Sequence, residues 1–222
     1  MKNHHPFFDK TVELYISEHE TPIRGKLAEI GQDIFVILSG GKYVYVPINH
    51  LQQLRLVTEE ADERAERSDN QLDMNNEPVS YRKTLMNAKG MFSEIFITGN
   101  QTIHGYLTSV MNDFFVFYSP VYHTVIVSLQ HLKYLIPYQP NATPYMLTAE
   151  QFPLRPSAIS LARTFDAQLR KLTGEFVIFD LGANPNKIGV LQSVEGNIAE
   201  IVNAAGKSVY VHLDHIKTVH IP

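Results

Sequence analysis

Gly41-Lys42-Tyr43-Val44-Tyr45-Val46 returns near the end of the chain as Gly206-Lys207-Ser208-Val209-Tyr210-Val211. At the same offset His50 meets His215 and Leu51 meets Ile216. Upstream, Gly25-Lys26-Leu27 matches Gly189-Val190-Leu191 after a one-residue adjustment. A more diverged copy lies between them, with Gly105-Tyr106-Leu107, Asp113, Ile126-Val127, His131 and Leu132 in the same order. Each copy reads as Gly-x-Leu, then an acidic or amide residue six positions after the Leu: Asp33, Asp113 and Asn197. A dense apolar run, a turn, a second apolar run, a His and a short closing run follow. Three matches in one order mark an internal repeat, and a repeat governs every later reading of the fold.

Copy one divides into five runs of β-branched and aromatic residues, predicting strands near Val12–Ser17, Ile23–Ile30, Ile34–Leu38, Tyr43–Pro47 and Leu51–Leu56. Gly31-Gln32-Asp33 and Ser39-Gly40-Gly41 supply hairpin turns. Gly25, Gly105 and Gly189 fall inside strand patterns, where glycine marks a bend or a close backbone approach. Ahead of copy three, Ser157 is read as the cap of a helix carrying Leu161, Phe165, Leu169 and Leu172 on one face, with Gly174 ending it. A weaker helical pattern runs from Ser80 to Ala88 ahead of copy two. The expected fold class is mainly β with short helices, as three tandem Sm-like or SH3-like five-stranded barrels. Modules of about 50 residues are marginal alone, so the barrels should pack together. The expected organisation is barrel repeat 1 over 1–57, an acidic and mobile linker over 58–79, and barrel repeat 2 with its helix over 80–137. A Pro-rich linker over 138–156, expected to lie against a surface, leads to barrel repeat 3 with its helix over 157–222.

Composition narrows the function. The 222 residues contain no cysteine, which removes disulfides, thiolate zinc sites and cysteine nucleophiles together. The N-terminal segment has no apolar core of a secretory signal, and no run approaches the length of a membrane span. The net charge of −4 comes from one stretch: Glu59, Glu60, Asp62, Glu63, Glu66 and Asp69 face only Arg64 and Arg67. Without that stretch the chain has 17 acidic and 17 basic residues. Nucleic-acid binders carry a basic excess, because phosphate neutralisation supplies much of their affinity. None exists here.

The residues that could carry chemistry have plainer uses. His212 and His215 are three apart on a strand-to-turn segment, with no carboxylate recurring beside them at ligand spacing. The recurrent His50, His131 and His215 each open the closing strand, where a ring bonding turn backbone is favoured over metal ligation. Asp33, Asp113 and Asn197 match the loop position that Sm-like proteins use near bases. They are read first as turn residues accepting backbone N–H bonds, since two are anionic. Ser39-Gly40-Gly41-Lys42 lacks phosphate-loop spacing, and no Gly-x-Ser-x-Gly elbow or His-Glu-x-x-His helix exists. No catalytic residue, metal ligand or cofactor is assigned, and a non-enzyme is expected.

One segment carries a family resemblance. Tyr210-Val211-His212-Leu213-Asp214-His215-Ile216-Lys217-Thr218-Val219 resembles the Tyr-x-x-x-x-His-(Ile/Val)-Lys-x-(Ile/Val) ending of repeats in the Bacillus-type spore coat protein B family. Tyr45 to Leu54 matches with Gln52 in the Lys position, and Ile126 to Leu135 keeps His131, Leu132, Lys133 and Leu135. The Ser/Lys/Arg-rich tail of that family has no match in the sequence, so nothing tied to it carries over. The resemblance implies a structural component of the endospore coat, made in the mother-cell cytoplasm and assembled by protein–protein contacts. The implied partners are other coat proteins, with self-association left open and neither membrane nor nucleic acid expected. The alternative from another class is an Sm-like RNA-binding or regulatory protein.

Overall fold

A glycine three residues before a break in register bends the second strand of every copy. The computed structural model describes residues 6–58, 70–74, 77–99, 101–139, 142, 144–148, 150–152 and 159–222. Copy one forms β1 (Thr11–Ile16), β2 (Ile23–Ile30), β3 (Ile34–Ser39), β4 (Lys42–Pro47) and β5 (Leu51–Leu56). Each expected strand of copy one is present within a residue or so. Copy two forms α1 (Tyr81–Asn87), β6 (Phe92–Thr98), β7 (Gln101–Val110), β8 (Phe114–Ser119), β9 (His123–Ser128) and β10 (Tyr134–Pro137). Copy three forms α2 (Phe165–Lys171), β11 (Phe176–Phe179), β12 (Ile188–Glu195), β13 (Ile198–Asn203), β14 (Ser208–His212) and β15 (Thr218–His220). The molecule is thus mainly β, with antiparallel pairing throughout and two short helices among the described residues.

The bend has the same parts in each copy. A Cβ on Gly25 would sit 2.3 Å from the Leu38 carbonyl oxygen, one on Gly105 2.1 Å from that of Tyr118, and one on Gly189 1.9 Å from that of Val202. Only glycine admits this approach. Three residues on, the register with the next strand shifts past Ala28, Thr108 and Gln192. Such a bulge bends and twists its strand, so one long strand can serve two faces of a small core. Gly40 and Gly41, both at positive φ, then close the β3–β4 hairpin with Ser39 opposite Lys42.

The chain forms two compact units, Met1–His104 with Leu132–Met146, and Gly105–His131 with Leu147–Pro222. The expected borders at 57/58, 79/80, 137/138 and 156/157 are therefore not the borders of compact units. The reason lies in the strand order. In the first unit it runs β6-β10-β4-β3-β2-β1-β5, and in the second β14-β13-β12-β11-β15-β9-β8-β7. The closing strand of copy two, β10, adds to the fourth strand of copy one, β4. The closing strand of copy three, β15, adds to β9 of copy two. Copy two is divided between the units, and the boundary falls inside β7.

Each unit has its own apolar core. In the first, Val12, Leu14, Leu27, Ile37 and Val46 of copy one pack with Phe96 and Tyr134 of copy two. In the second, Phe114, Val116 and Ile126 of copy two join Val177, Phe179, Leu191, Ile201 and Val219 of copy three. Phe165, Leu169 and Leu172 lie in that core, as their spacing predicts, and Leu161 packs against it. The helix itself starts later than expected. It begins at Phe165 after Thr164, while Ser157 lies outside the described residues. Ahead of α1, Ser80 Oγ accepts from the Lys83 N–H, as a helix cap does.

Some of the described linker residues are packed, while others, such as Tyr145 and Met146, are exposed. Asn70, Leu72 and Met74 of the acidic linker are buried in the first unit. The acidic run itself, 59–69, lies outside the described residues. In the Pro-rich linker, Tyr138 hydrogen-bonds His104 Nδ1 at 3.0 Å, and Phe152 stacks on Tyr118 with ring centroids 4.9 Å apart. No helix among the described residues is long and apolar enough to cross a membrane.

Candidate functional site

The recurrent polar residues join one copy to the next. The β2–β3 hairpin of copy one presents Asp33, whose Oδ1 accepts from the Tyr81 N–H at 2.8 Å. Tyr81 is the first residue of α1, which belongs to copy two. Asp113 in copy two does the same for copy three, its Oδ1 accepting from the Phe165 N–H, the first of α2, at 2.8 Å. Thr164 makes no side-chain cap bond, so Asp113 serves the orphan donor from outside the helix. Burial pushes the Asp113 carboxyl up from its ordinary range, and the Phe165 N–H opposes that shift. The backbone carbonyls repeat as well: Asp33 accepts from Ile48, Asp113 from Leu129 and Asn197 from Leu213.

Asn197 keeps the backbone bond and loses the other role. It is exposed at φ 64°, beside Gly196 at φ 53°, in a two-residue hairpin turn. The helix-holding position of copies one and two has become an ordinary turn residue in copy three.

The histidines follow the same rule. His50 of copy one meets Lys133 of copy two, whose Nζ donates to His50 Nδ1 at 3.0 Å and to Ser17 Oγ at 2.9 Å. Lys133 is only 2% exposed, so these contacts replace the water that its ammonium would otherwise have. His131 of copy two meets copy three, its Nε2 lying 2.8 Å from the Asp214 carbonyl oxygen. His215 is exposed, with its ring 6.0 Å from that of His212.

The sequence marked these positions through the repeat, but two further ties escaped it. Lys133 is visible only as one letter of the closing motif. Asn70, in a segment read as linker, accepts from the Tyr43 N–H at 3.0 Å and donates to the Pro137 carbonyl at 2.9 Å. Leu72 N–H donates to the Tyr45 hydroxyl at 2.6 Å. Together they fasten the β4 and β10 pair.

Nothing reactive gathers at these positions. Among the described residues no group of three or more His, Asp or Glu is placed to hold a metal ion. A cleft of about 450 Å³ in the first unit is lined by Gly40, Gly41, Lys42, Asn70, Glu94 and Tyr138 among others. Of its titratable groups, Tyr138 hydrogen-bonds His104 Nδ1 at 3.0 Å, and burial pushes the Tyr138 phenol up.

The model of the YwrJ third domain matches residues 164–219, from the residue before α2 into β15, which is copy three. The uncharacterized protein YwrJ of Bacillus subtilis (strain 168) is 43% identical over 226 aligned positions, covering all of both chains. Identity at that level over the whole length shows that the chain belongs to the YwrJ family.

Proposed function

We propose that the protein is a non-enzymatic structural component of the bacterial endospore coat, built of three Sm-like five-stranded modules and assembling through protein–protein contacts. The observation that carries the reading is the use made of the repeat. Asp33, Asp113, His50 and His131 each contact a residue of the next copy. Each copy runs 4-3-2-1-5 in strand order, and the fifth strand of one adds to the fourth of its predecessor. A molecule whose recurrent residues are connectors is suited to assembly. The coat assignment itself rests on the closing-motif resemblance to coat protein B repeats. Two of the three loop residues that an Sm-like RNA binder would use, Asp33 and Asp113, accept from the first N–H of a helix instead.

A fluorescent fusion expressed from its own promoter in a sporulating endospore former tests the reading. The expected signal is a cap or shell around the forespore. A diffuse mother-cell signal at every stage would overturn it.

A further inference from the structure

Two junctions inside the chain share one register. Leu135 of β10 lies opposite Tyr45 of β4. Val219 of β15 lies opposite Ile126 of β9, flanked by Thr218 opposite Val127 and His220 opposite Val125. Counted from the recurrent His, Leu135 and Val219 correspond to Leu54 in β5. Counted the same way, Tyr45 and Ile126 correspond to Tyr210 in β14. The pair made twice within the chain therefore has a third instance whose halves lie at opposite ends of the strand order.

Those halves are uncovered. β5 pairs β1 on one side and β14 pairs β13 on one side, and among the described residues neither has a strand on its other side. Tyr45 and Ile126 are each 1% exposed, whereas Tyr210 is 67% exposed. Leu135 and Val219 are buried, whereas Leu54 is half-buried and Leu56 is 48% exposed. An edge with open N–H and C=O groups and apolar side chains is a template for another strand. The strand that fits each edge is already specified by the two internal junctions.

We infer that the chain associates head to tail with further copies of itself, β5 of one adding antiparallel to β14 of the next. Leu54 lies opposite Tyr210, Gln53 opposite Val211 and Arg55 opposite Val209. The His212 N–H donates to the Gln52 carbonyl, as the Ser128 N–H does to the Lys217 carbonyl at 3.0 Å within the chain. The contact is heterologous, so each joined chain keeps one open edge, and the assembly continues or closes into a ring. This deepens the assembly part of the proposed function. Its test uses purified protein, so failure of the pairing and failure of coat location are read separately.

Sedimentation velocity of the full chain from about 1 to 200 µM should show species growing beyond dimer. Leu54→Lys, at a half-buried position beside the first core, and Tyr210→Lys, at an exposed one, should each remain monomeric over that range. Mixed, they should form a 1:1 dimer and stop, because only one intact β5 and one intact β14 remain. The absence of native cysteine permits a second arm. Leu54→Cys mixed with Tyr210→Cys should give a disulfide-linked dimer under mild oxidation, while neither variant alone does so. A wild-type chain that stays monomeric throughout would overturn the inference. So would lysine variants that associate as wild type does, or a cysteine mixture that forms no mixed dimer.

Discussion

Asp113 puts a half-buried carboxylate against the first N–H of a helix that belongs to the next copy. Its burial cost and its hydrogen bond work against each other, which gives a clear prediction. Asp113→Ala leaves the Phe165 N–H without this acceptor and should lower stability by about 1–2 kcal/mol in urea unfolding. Asp113→Asn keeps an acceptor oxygen, removes the desolvated charge and should fall within about 0.5 kcal/mol of wild type. Equal losses from the two substitutions would show that the charge matters, not the acceptor. At this scale the sequence disclosed the position and concealed its partner. A repeat shows that Asp33 and Asp113 are equivalent, but their bonds span 48 and 52 residues into another copy. Asn197 stands at the equivalent place and holds no helix, so equivalence in sequence does not transfer a contact.

The bent second strand shows which elements are readable and which are not. Its glycine is legible because a glycine inside an apolar, alternating run has a cost that only a close approach offsets. The bulge that completes the bend is silent, since Ala28, Thr108 and Gln192 have nothing in common as residues. The start of α2 is hidden for a related reason: Ser157 looks like a cap, yet the donor at Phe165 is served from the preceding hairpin. A methyl group at the bend cannot be absorbed, because the nearest atom is a backbone carbonyl oxygen and not a flexible side-chain end. Gly105→Ala or Gly189→Ala should therefore cost about 2–3 kcal/mol or more in chemical denaturation. Gln192→Ala, exposed at the bulge, should stay within about 0.5 kcal/mol. Cheap replacement of either glycine would mean that the strands part easily there.

Over the whole molecule, the repeat predicts three modules, and the two compact units arise because each closing strand is lent to the preceding copy. Apolar strand patterns do not say which edge a strand will join, so this division was not legible. Both units share a sensitivity to acid. Burial pulls His220 below its usual range, and it pulls His104 down too, with Lys42 adding to the effect and Glu94 opposing it. A lowered folded-state value means that the unfolded chain takes up the proton first. Stability is then full above the ordinary histidine value of about 6.5 and falls as pH drops through it. Melting temperatures at pH 7.5 and 5.5 should show the loss. His220→Ile, the residue that copy two has at Ile136, should shrink it, because it also removes an Nδ1 that has no partner. An unchanged pH dependence in that variant would place the sensitivity elsewhere. The lent strands also set a timetable on the ribosome. Tyr45 leaves the exit tunnel about ninety residues before Leu135, and Ile126 waits as long for Val219. At about 5–20 residues per second, each fourth strand spends roughly 5–18 s with an open edge among other nascent chains. Polysomes carrying this message crowd such edges together, so slow translation raises the chance that a strand is captured by the wrong chain.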